Sequence, residues 1–314
     1  MVHCTTAFFK ISNAKVFRSI KSSIHENHKF AYFDLTIFEE LHTARGARKR
    51  NSKIVNSILI VGCGKMGSAL LSQWVSGHET ITVVDPMASD LPEGVTLVSE
   101  RSQVSDQRFD CIVAAIKPQM IDDIMPEYAA NLAPGGYVLS IAAGYSATRL
   151  SKLMGDAPVV RTMPNLPAAI GRGVSGICPG PHASADHMTH AEAFMRRAGS
   201  TITVDSEEKL DRVTAVAGSG PGYVFEIARA YAEAAIAQGF DEDEAREMVL
   251  GTIGGAIAMA SEPGAPDLEE LRNSVTSKGG TTAAGLDALN GDDGLSTRLH
   301  ATLQAAYDRA VELR

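Results

Sequence analysis

Residues 57–67 read SILIVGCGKMG, and this stretch decides the fold. Its first five residues form an apolar run that is typical of a buried strand. The pattern Gly62-x-Gly64-x-x-Gly67 follows at once, and SALLSQWVSG continues with helical spacing. A strand, a glycine-rich turn and a helix in this order predict the dinucleotide-binding unit of a Rossmann-type fold.

Each glycine of this turn has its own task in binding an anion. Gly62 allows the tight turn, Gly64 lets the backbone approach a pyrophosphate, and Gly67 lets the helix pack closely on the strand. The helix N-terminus presents free amides to the anion. Asp85 ends the second predicted strand, where a carboxylate holds the ribose of adenosine. The alternative is a glycine-rich turn that binds no nucleotide.

Strands and helices alternate as far as residue 206. After the second strand at 81–84, apolar runs predict strands at 111–115, 137–141 and 159–163. The alternation predicts a parallel, doubly wound α/β sheet with right-handed crossovers. Beyond it the pattern is helical only, with helices predicted at 222–238, 241–261, 267–275, 282–290 and 294–313. We therefore predict a Rossmann-type domain over 54–206 and an all-helical domain over 207–314.

Residues 1–53 differ from the rest of the chain in charge and pattern. They hold ten Lys and Arg against four Asp and Glu, whereas the whole chain has a net charge of −8. We predict a basic, disordered extension, with a targeting peptide or an interaction arm as the alternatives. The body is therefore acidic, which argues against nucleic acid as a partner.

The remaining composition excludes several kinds of site. No apolar run reaches the ~18 residues that a membrane helix needs. The four cysteines lie far apart without a CxxC motif, so we expect neither a disulfide framework nor a zinc site, and a reducing cytoplasm fits best. His182, His187 and His190 have no carboxylate at matching spacing, so we interpret them as surface residues and expect no metal.

A second chemical signal lies in the helical region. Residues 272–282 read RNSVTSKGGTT and lead into AAGLDAL, which forms helix readily. Two glycines and two threonines at a helix start leave backbone amides pointing outward, beside Ser and Thr hydroxyls. Such a nest suits a small carboxylate. An N-cap turn without a ligand is the alternative.

Five blocks of the sequence, in order, resemble the pyrroline-5-carboxylate reductase family. AGSGPGYVF at 217–225 resembles its GSGPAY element, and VTSKGGTTAAG at 275–285 resembles its C-terminal signature. The other blocks are AAIKP at 114–118, IAAG at 141–144 and RTMPNLP at 161–167. The resemblance covers about 57–312. It implies reduction of 1-pyrroline-5-carboxylate to L-proline with NAD(P)H, the final step of proline biosynthesis.

The resemblance also implies roles for individual residues. Thr282 would lie near the ring nitrogen as the catalytic residue, and the C-terminal helices would form a homodimer or a higher homo-oligomer. The residues implied to bind substrate are Val275, Ser277, Gly279, Gly280, Thr281 and Thr282. The predicted cofactor-binding residues are Gly62, Gly64, Lys65, Met66, Gly67, Asp85, Ala115, Lys117, Pro118 and Asn165. The alternatives are a catalytically silent nucleotide-binding paralogue and a reductase of another cyclic imine.

Two positions depart from the family pattern. Lys278 stands where family members commonly have Pro. Asp85-Pro86 stands where the family has small polar or basic residues, and a carboxylate there would repel a 2′-phosphate. This physical argument favours NAD against the family habit, so the resemblance implies NAD(P)H without a choice between the two.

Overall fold

The structure, a computed structural model, describes residues 55–292 and 294–313. The extension predicted for residues 1–53 lies outside the described residues. Within the described part, eight strands form one sheet in the order β3-β2-β1-β4-β5-β6-β7-β8. The strands are β1 Ser57–Val61, β2 Thr80–Val84, β3 Thr96–Val98, β4 Phe109–Ala114, β5 Leu132–Ser140, β6 Val159–Met163, β7 Gly173–Pro179 and β8 Gly199–Thr203.

The predicted parallel, doubly wound sheet is confirmed for the five predicted strands, and an antiparallel strand that was not predicted makes the whole sheet mixed. Strands β1 to β6 pair in parallel, β7 runs antiparallel to β6, and β8 pairs with β7 in parallel. The reason is the length of the β6–β7 connection. A parallel crossover needs a dozen or more residues, whereas residues 164–172 contain only the 3₁₀ turn Leu166–Ile170.

Three strands were absent from the sequence prediction. β3 has only three residues, and β7 contains two glycines and ends in a proline. β8 lies at the edge of the sheet and is mostly polar. Short, glycine-containing or polar strands have little of the apolar signal on which strand prediction depends.

Ten α-helices are present among the described residues. The long helices beyond residue 206 agree with the prediction to within two residues. A π turn, Thr214–Gly218, joins two of them. The helices are α1 Lys65–Trp74, α2 Ile121–Ile124, α3 Ala147–Leu153, α4 Ala185–Arg196, α5 Glu207–Val213, α6 Gly220–Ala237, α7 Glu242–Ala260, α8 Leu268–Ser274, α9 Thr281–Leu289 and α10 Leu295–Glu312. Among these residues, no helix combines the length and apolar character that crossing a bilayer requires.

The apolar core lies on both faces of the sheet. Helices α1 and α4 cover one face, where Trp74 stacks on Phe194 with ring centres 4.2 Å apart. Helices α2 and α3 cover the other face, where Ile121 and Leu150 are buried. The carboxyl ends of the six parallel strands are thereby held along one edge, at which ligands of open α/β sheets collect.

A buried ion pair joins the sheet to the first helix of the helical region. Arg161 on β6 is almost fully buried, and its Nη1 lies 2.6 Å from Oε1 of Glu207 at the start of α5. The same oxygen accepts a hydrogen bond of 2.9 Å from the backbone amide of Ala147 at the start of α3. One carboxylate therefore connects a strand and two helices.

A second buried network connects α4 to the strands and corrects one expectation. His190 is not a surface residue, because its Nδ1 lies 2.7 Å from the hydroxyl of Tyr137 inside the fold. Its other ring nitrogen lies 3.8 Å from Oε1 of Glu79. Arg197 forms a bidentate salt bridge with Glu79, with N–O distances of 2.7 and 2.8 Å. His187 caps the start of α4 by accepting from the Ser184 amide.

Replacing Glu207 by Ala should strongly destabilise the fold. The change leaves the Arg161 guanidinium buried without its carboxylate, a loss that costs about 3–5 kcal/mol. The matched control is Glu192→Ala, which removes an exposed i,i+4 pair with Arg196 and should cost less than about 1 kcal/mol. Urea unfolding of both variants measures the two costs. Equal losses would show that the Arg161–Glu207 pair contributes no more than a surface pair.

His190 should make the fold acid-sensitive. Burial lowers the pKa of His190 from 6.5 to about 4, so between these values the unfolded chain binds more protons than the folded one. Stability should therefore be complete above about pH 6.5 and fall as the pH drops towards 4. His190→Gln should flatten this part of the curve, whereas His182→Gln, at an exposed position, should leave it steep. Urea midpoints between pH 7.5 and 5 provide the measurement, and an unchanged slope in His190→Gln contradicts the assignment.

Candidate active site

The glycine-rich turn has the geometry of an anion-binding loop. Gly62 has a φ of +88°, and a Cβ there would lie 2.6 Å from Cγ2 of Ile116, so no other residue fits. An added Cβ on Gly64 meets nothing within 4 Å. Gly64 is also the N-cap of α1 without a side-chain cap. The first amides of α1 therefore remain available to an anion.

A cavity of about 430 Å³ lies beside this loop at the carboxyl edge of the sheet. Five predicted cofactor-binding residues line it: Gly62, Gly64, Asp85, Ala115 and Lys117. Apolar side chains form much of the remaining wall, among them Met87, Ile116, Met120, Ile124 and Tyr128. A cavity of this size, apolar with a few charged groups, suits the adenosine part of a dinucleotide.

Ser99 and Arg101 also line this cavity and were not predicted from the sequence. Both follow β3, a strand too short to be recognised. The available signal was the apolar pair Leu97 and Val98 directly before them. In the sheet, β3 pairs with β2, which places these residues at the same cavity as Asp85.

The other predicted cofactor-binding residues do not line the cavity. Lys65, Met66 and Gly67 belong to the first turn of α1, and a Cβ on Gly67 would lie 3.3 Å from the Gly62 carbonyl oxygen. Pro118 begins the 3₁₀ turn after Lys117. The roles of these residues towards the cofactor stay predictions.

Asn165 is held by two hydrogen bonds within the fold. Its amide nitrogen donates to the Ala217 carbonyl oxygen and its amide oxygen accepts from the Val174 amide, both at 2.9 Å. The side chain therefore links the end of β6 to the π turn and to β7. A contact with cofactor stays a prediction for this residue.

Both oxygens of Asp85 accept hydrogen bonds from the backbone. Oδ2 lies 2.6 Å from the amide nitrogen of Cys63, inside the glycine-rich turn, and Oδ1 lies 2.8 Å from that of Met87. The carboxylate therefore links the glycine-rich turn to the end of β2 by a hydrogen bond. Burial, with a smaller contribution from Asp85, raises the pKa of the Cys63 thiol, which keeps that thiol protonated.

The predicted substrate segment forms a glycine turn at the start of α9. Gly279 has a φ of +69°, and the Gly280 amide donates to the Ser277 carbonyl oxygen at 3.0 Å. Gly280 is the N-cap of α9 without a side-chain cap, so the amides of Thr281 and Thr282 have no partner within the helix. Free amides at this turn are what the predicted carboxylate nest requires, and the role of the segment in binding substrate stays a prediction. Its side chains are largely exposed in the single chain.

The cofactor cavity and the substrate segment are not brought together within one chain. None of residues 275–282 lines the cavity beside the glycine-rich turn. Neither α8 nor α9 packs extensively against another described element, and neither contains a buried residue. A second cavity of about 480 Å³, between the π turn and α10, contains none of the predicted site residues.

The long helices before this segment expose apolar side chains. Helix α6 has no buried residue, and Phe225 on it is 60% exposed. On α7, Ile257 and Met259 are exposed to a similar degree. Apolar surface of this extent marks a protein interface.

Two family models match the chain, one in each of its two regions. A model described as pyrroline-5-carboxylate reductase dimerisation matches residues 207–313. A model described as NADP oxidoreductase, coenzyme F420-dependent, matches residues 57–144. The first covers the helical region and the second covers the strands and helices around the glycine-rich turn.

Relatives and solved structures agree with these matches. The pyrroline-5-carboxylate reductase of Vibrio alginolyticus is 35% identical over 82% of this chain and 97% of its own length. A pyrroline-5-carboxylate reductase structure from Coxiella burnetii is 30% identical, with a TM-score of 0.75 over 83% of this chain and 99% of that one. A Plasmodium falciparum pyrroline carboxylate reductase, described with NADP bound, shares the fold at 22% identity, with a TM-score of 0.71 over 82% of this chain and 98% of that one. This chain belongs to the pyrroline-5-carboxylate reductase family.

Proposed function

We propose that the protein reduces 1-pyrroline-5-carboxylate to L-proline with NAD(P)H, as the final step of proline biosynthesis. The observation that carries the proposal is that two separate glycine turns in one chain each lead into a helix whose start has no side-chain cap. The first precedes α1 and borders the cavity, and the second precedes α9. One suits a dinucleotide pyrophosphate and the other suits a small carboxylate.

The residues around the first turn fit the cofactor. Gly62 leaves no room for a Cβ, Gly64 is open to the cavity, and α1 begins without a side-chain cap. The cofactor supplies the hydride, and the protein supplies position and an anion site. Asp85 and Lys117 line the same cavity and contribute opposite charges to it.

The second turn holds and orients the substrate in this proposal. Ser277 and the amides of Gly279 to Thr282 bind the carboxylate. Thr282 follows Gly280 by two residues in the first turn of α9, and its hydroxyl lies near the ring nitrogen as a donor or as a group that orients water. Thr is a poor acid in water, so its first task is to position the imine.

The active site is completed by a second copy of the chain. Within one protomer, the substrate turn does not line the cofactor cavity. The apolar faces of α6 and α7 are exposed in the same protomer. A homo-oligomer formed through the C-terminal helices covers these faces and places the substrate turn among them. The dimerisation model that matches residues 207–313 supports this arrangement.

We place the domain boundary between residues 206 and 207. Strand β8 ends at Thr203, α5 begins at Glu207, and the match to the dimerisation model begins at the same residue. We also assign the enzyme to the cytoplasm, because Cys63, Cys111 and Cys178, the cysteines of the described part, are unpaired thiols. We propose no nucleic-acid partner, given the acidic body of the chain.

An assay with pyrroline-5-carboxylate tests the proposal directly. The purified protein should oxidise NADH or NADPH only when this imine is present, and should form proline. Binding of cofactor without turnover would favour the catalytically silent paralogue. Turnover restricted to a different cyclic imine would favour the other alternative.

Thr282→Ala should lower kcat by ~10²-fold or less. The lost hydroxyl orients the imine, while the hydride donor keeps its position. Thr276→Ala is the matched control, because its hydroxyl donates to the carbonyl oxygen of Arg272 in α8 and Thr276 is not among the residues predicted to bind substrate. Steady-state kinetics on folded variants measure the effect. Wild-type kcat in Thr282→Ala would remove Thr282 from the site.

Ser277→Ala should raise KM rather than lower kcat. It removes a hydrogen bond to a charged carboxylate worth roughly 1.5–3 kcal/mol, or about ten- to 150-fold. Ser274→Ala is the control, since that hydroxyl donates to the Leu271 carbonyl oxygen at 2.7 Å. A loss confined to kcat, with KM unchanged, would contradict the carboxylate-binding role of Ser277.

A further inference from the structure

The cavity beside the glycine-rich turn carries more positive than negative charge. Its charged side chains are Asp85, Arg101 and Lys117. The sequence argument for NAD rested on Asp85 alone, because Arg101 follows β3, a strand that sequence patterns did not reveal. The preference of this cavity for NADH or NADPH therefore depends on all three charges and on their positions.

The carboxylate of Asp85 already accepts hydrogen bonds from the protein backbone. One of its oxygens accepts from the Cys63 amide at 2.6 Å and the other accepts from the Met87 amide at 2.8 Å. Hydrogen bonds donated by backbone amides stabilise a carboxylate where it lies and offset its negative charge locally. The repulsion expected between this acid and a 2′-phosphate is correspondingly reduced.

Arg101 is held in place by contacts of its Nε and of its guanidinium face. Its Nε donates to the Glu127 carbonyl oxygen at 2.7 Å, and its guanidinium carbon lies 6.0 Å from the ring centre of Tyr128. Within the part of the chain that the structure describes, its two terminal nitrogens have no hydrogen-bond partner. The Glu127 carboxylate is 3.9 Å from Nε and largely exposed, so it balances the charge only weakly.

The sheet places Arg101 at the adenosine end of the cavity. Val84 pairs with Val98, and the Asp85 amide donates to the Val98 carbonyl oxygen at 3.1 Å. Arg101 follows Val98 by three residues. Lys117 follows β4, which β1 separates from β2, so it lies further along the same edge.

We infer that Arg101 selects NADPH over NADH by pairing with the 2′-phosphate of the adenosine ribose. The ribose binds at the end of β2, and an arginine nearby is the group that accommodates a 2′-phosphate in this fold. A guanidinium with two free N–H-bearing nitrogens matches phosphate geometry with two parallel hydrogen bonds. This inference rests on the proposed function, in which the cavity holds the cofactor.

Calorimetric binding to the full-length protein tests the inference without catalysis. The probes are NADPH and NADH, together with adenosine 2′,5′-bisphosphate and adenosine 5′-monophosphate. R101Q should weaken both 2′-phosphorylated probes by about tenfold or more and change the other two by less than about twofold. R101K, which keeps the charge but loses the planar fork, should retain part of the affinity. The loss should shrink at high salt.

Two control variants distinguish a loss of NADPH selection from a general loss of cofactor binding. Arg108 is exposed and lies outside the cavity, and the hydrogen bond it makes among the described residues is to the neighbouring Gln107 carbonyl oxygen. R108Q should therefore bind all four probes like the native protein. K117Q should weaken NADH and NADPH alike, because Lys117 lies away from the end of β2.

The inference is overturned if R101Q weakens NADH and NADPH equally, if it changes neither, or if the native protein binds NADH more tightly than NADPH. Such results leave the proposed function standing as long as the native enzyme reduces pyrroline-5-carboxylate with either cofactor. Absence of that turnover in the native enzyme would instead count against the proposed function.

Discussion

The buried pair between Arg161 and Glu207 is the interaction on which the arrangement of the two regions depends. Arg161 comes from β6, the last of the parallel strands, and Glu207 begins α5, the first helix beyond residue 206. A buried guanidinium without a carboxylate is very costly, so the helix start has one position of low energy relative to the strand. Asn165 adds a second connection through its bond to the Ala217 carbonyl oxygen in the π turn. Both connections start from β6.

In the proposed function, one chain holds two half-sites. The sheet edge carries the cofactor cavity, and the turn before α9 carries the carboxylate nest, without packing against that cavity. Helices α6 and α7 expose apolar side chains over much of their length. The free energy gained by burying them favours assembly, and in the proposed function assembly also brings substrate to cofactor. Stability and activity therefore depend on the same surface.

Asp85 illustrates how the meaning of a motif residue depends on its partners. An acid at the end of β2 is the usual sign of a ribose-binding carboxylate and of NAD preference. Here the carboxylate also shapes the glycine-rich turn, because it accepts from the Cys63 amide. In the proposed function, the charge that a cofactor meets at this place is therefore the sum of Asp85 and Arg101, and Arg101 comes from the turn that follows the neighbouring strand β3.

The sequence by itself determined the Rossmann unit, the helical second half and the family. These depend on local patterns: the glycines at 62, 64 and 67 follow a strand and lead into a helix, and the helical period persists through α6 to α10. Only the tertiary structure decided the antiparallel β7, the buried place of His190 and the position of Arg101 at the same cavity as Asp85. Strand direction depended on the length of a connection, and burial and charge proximity depended on residues far apart in the chain. Such pairings leave no periodic trace in a single sequence, because they are set by how the elements pack.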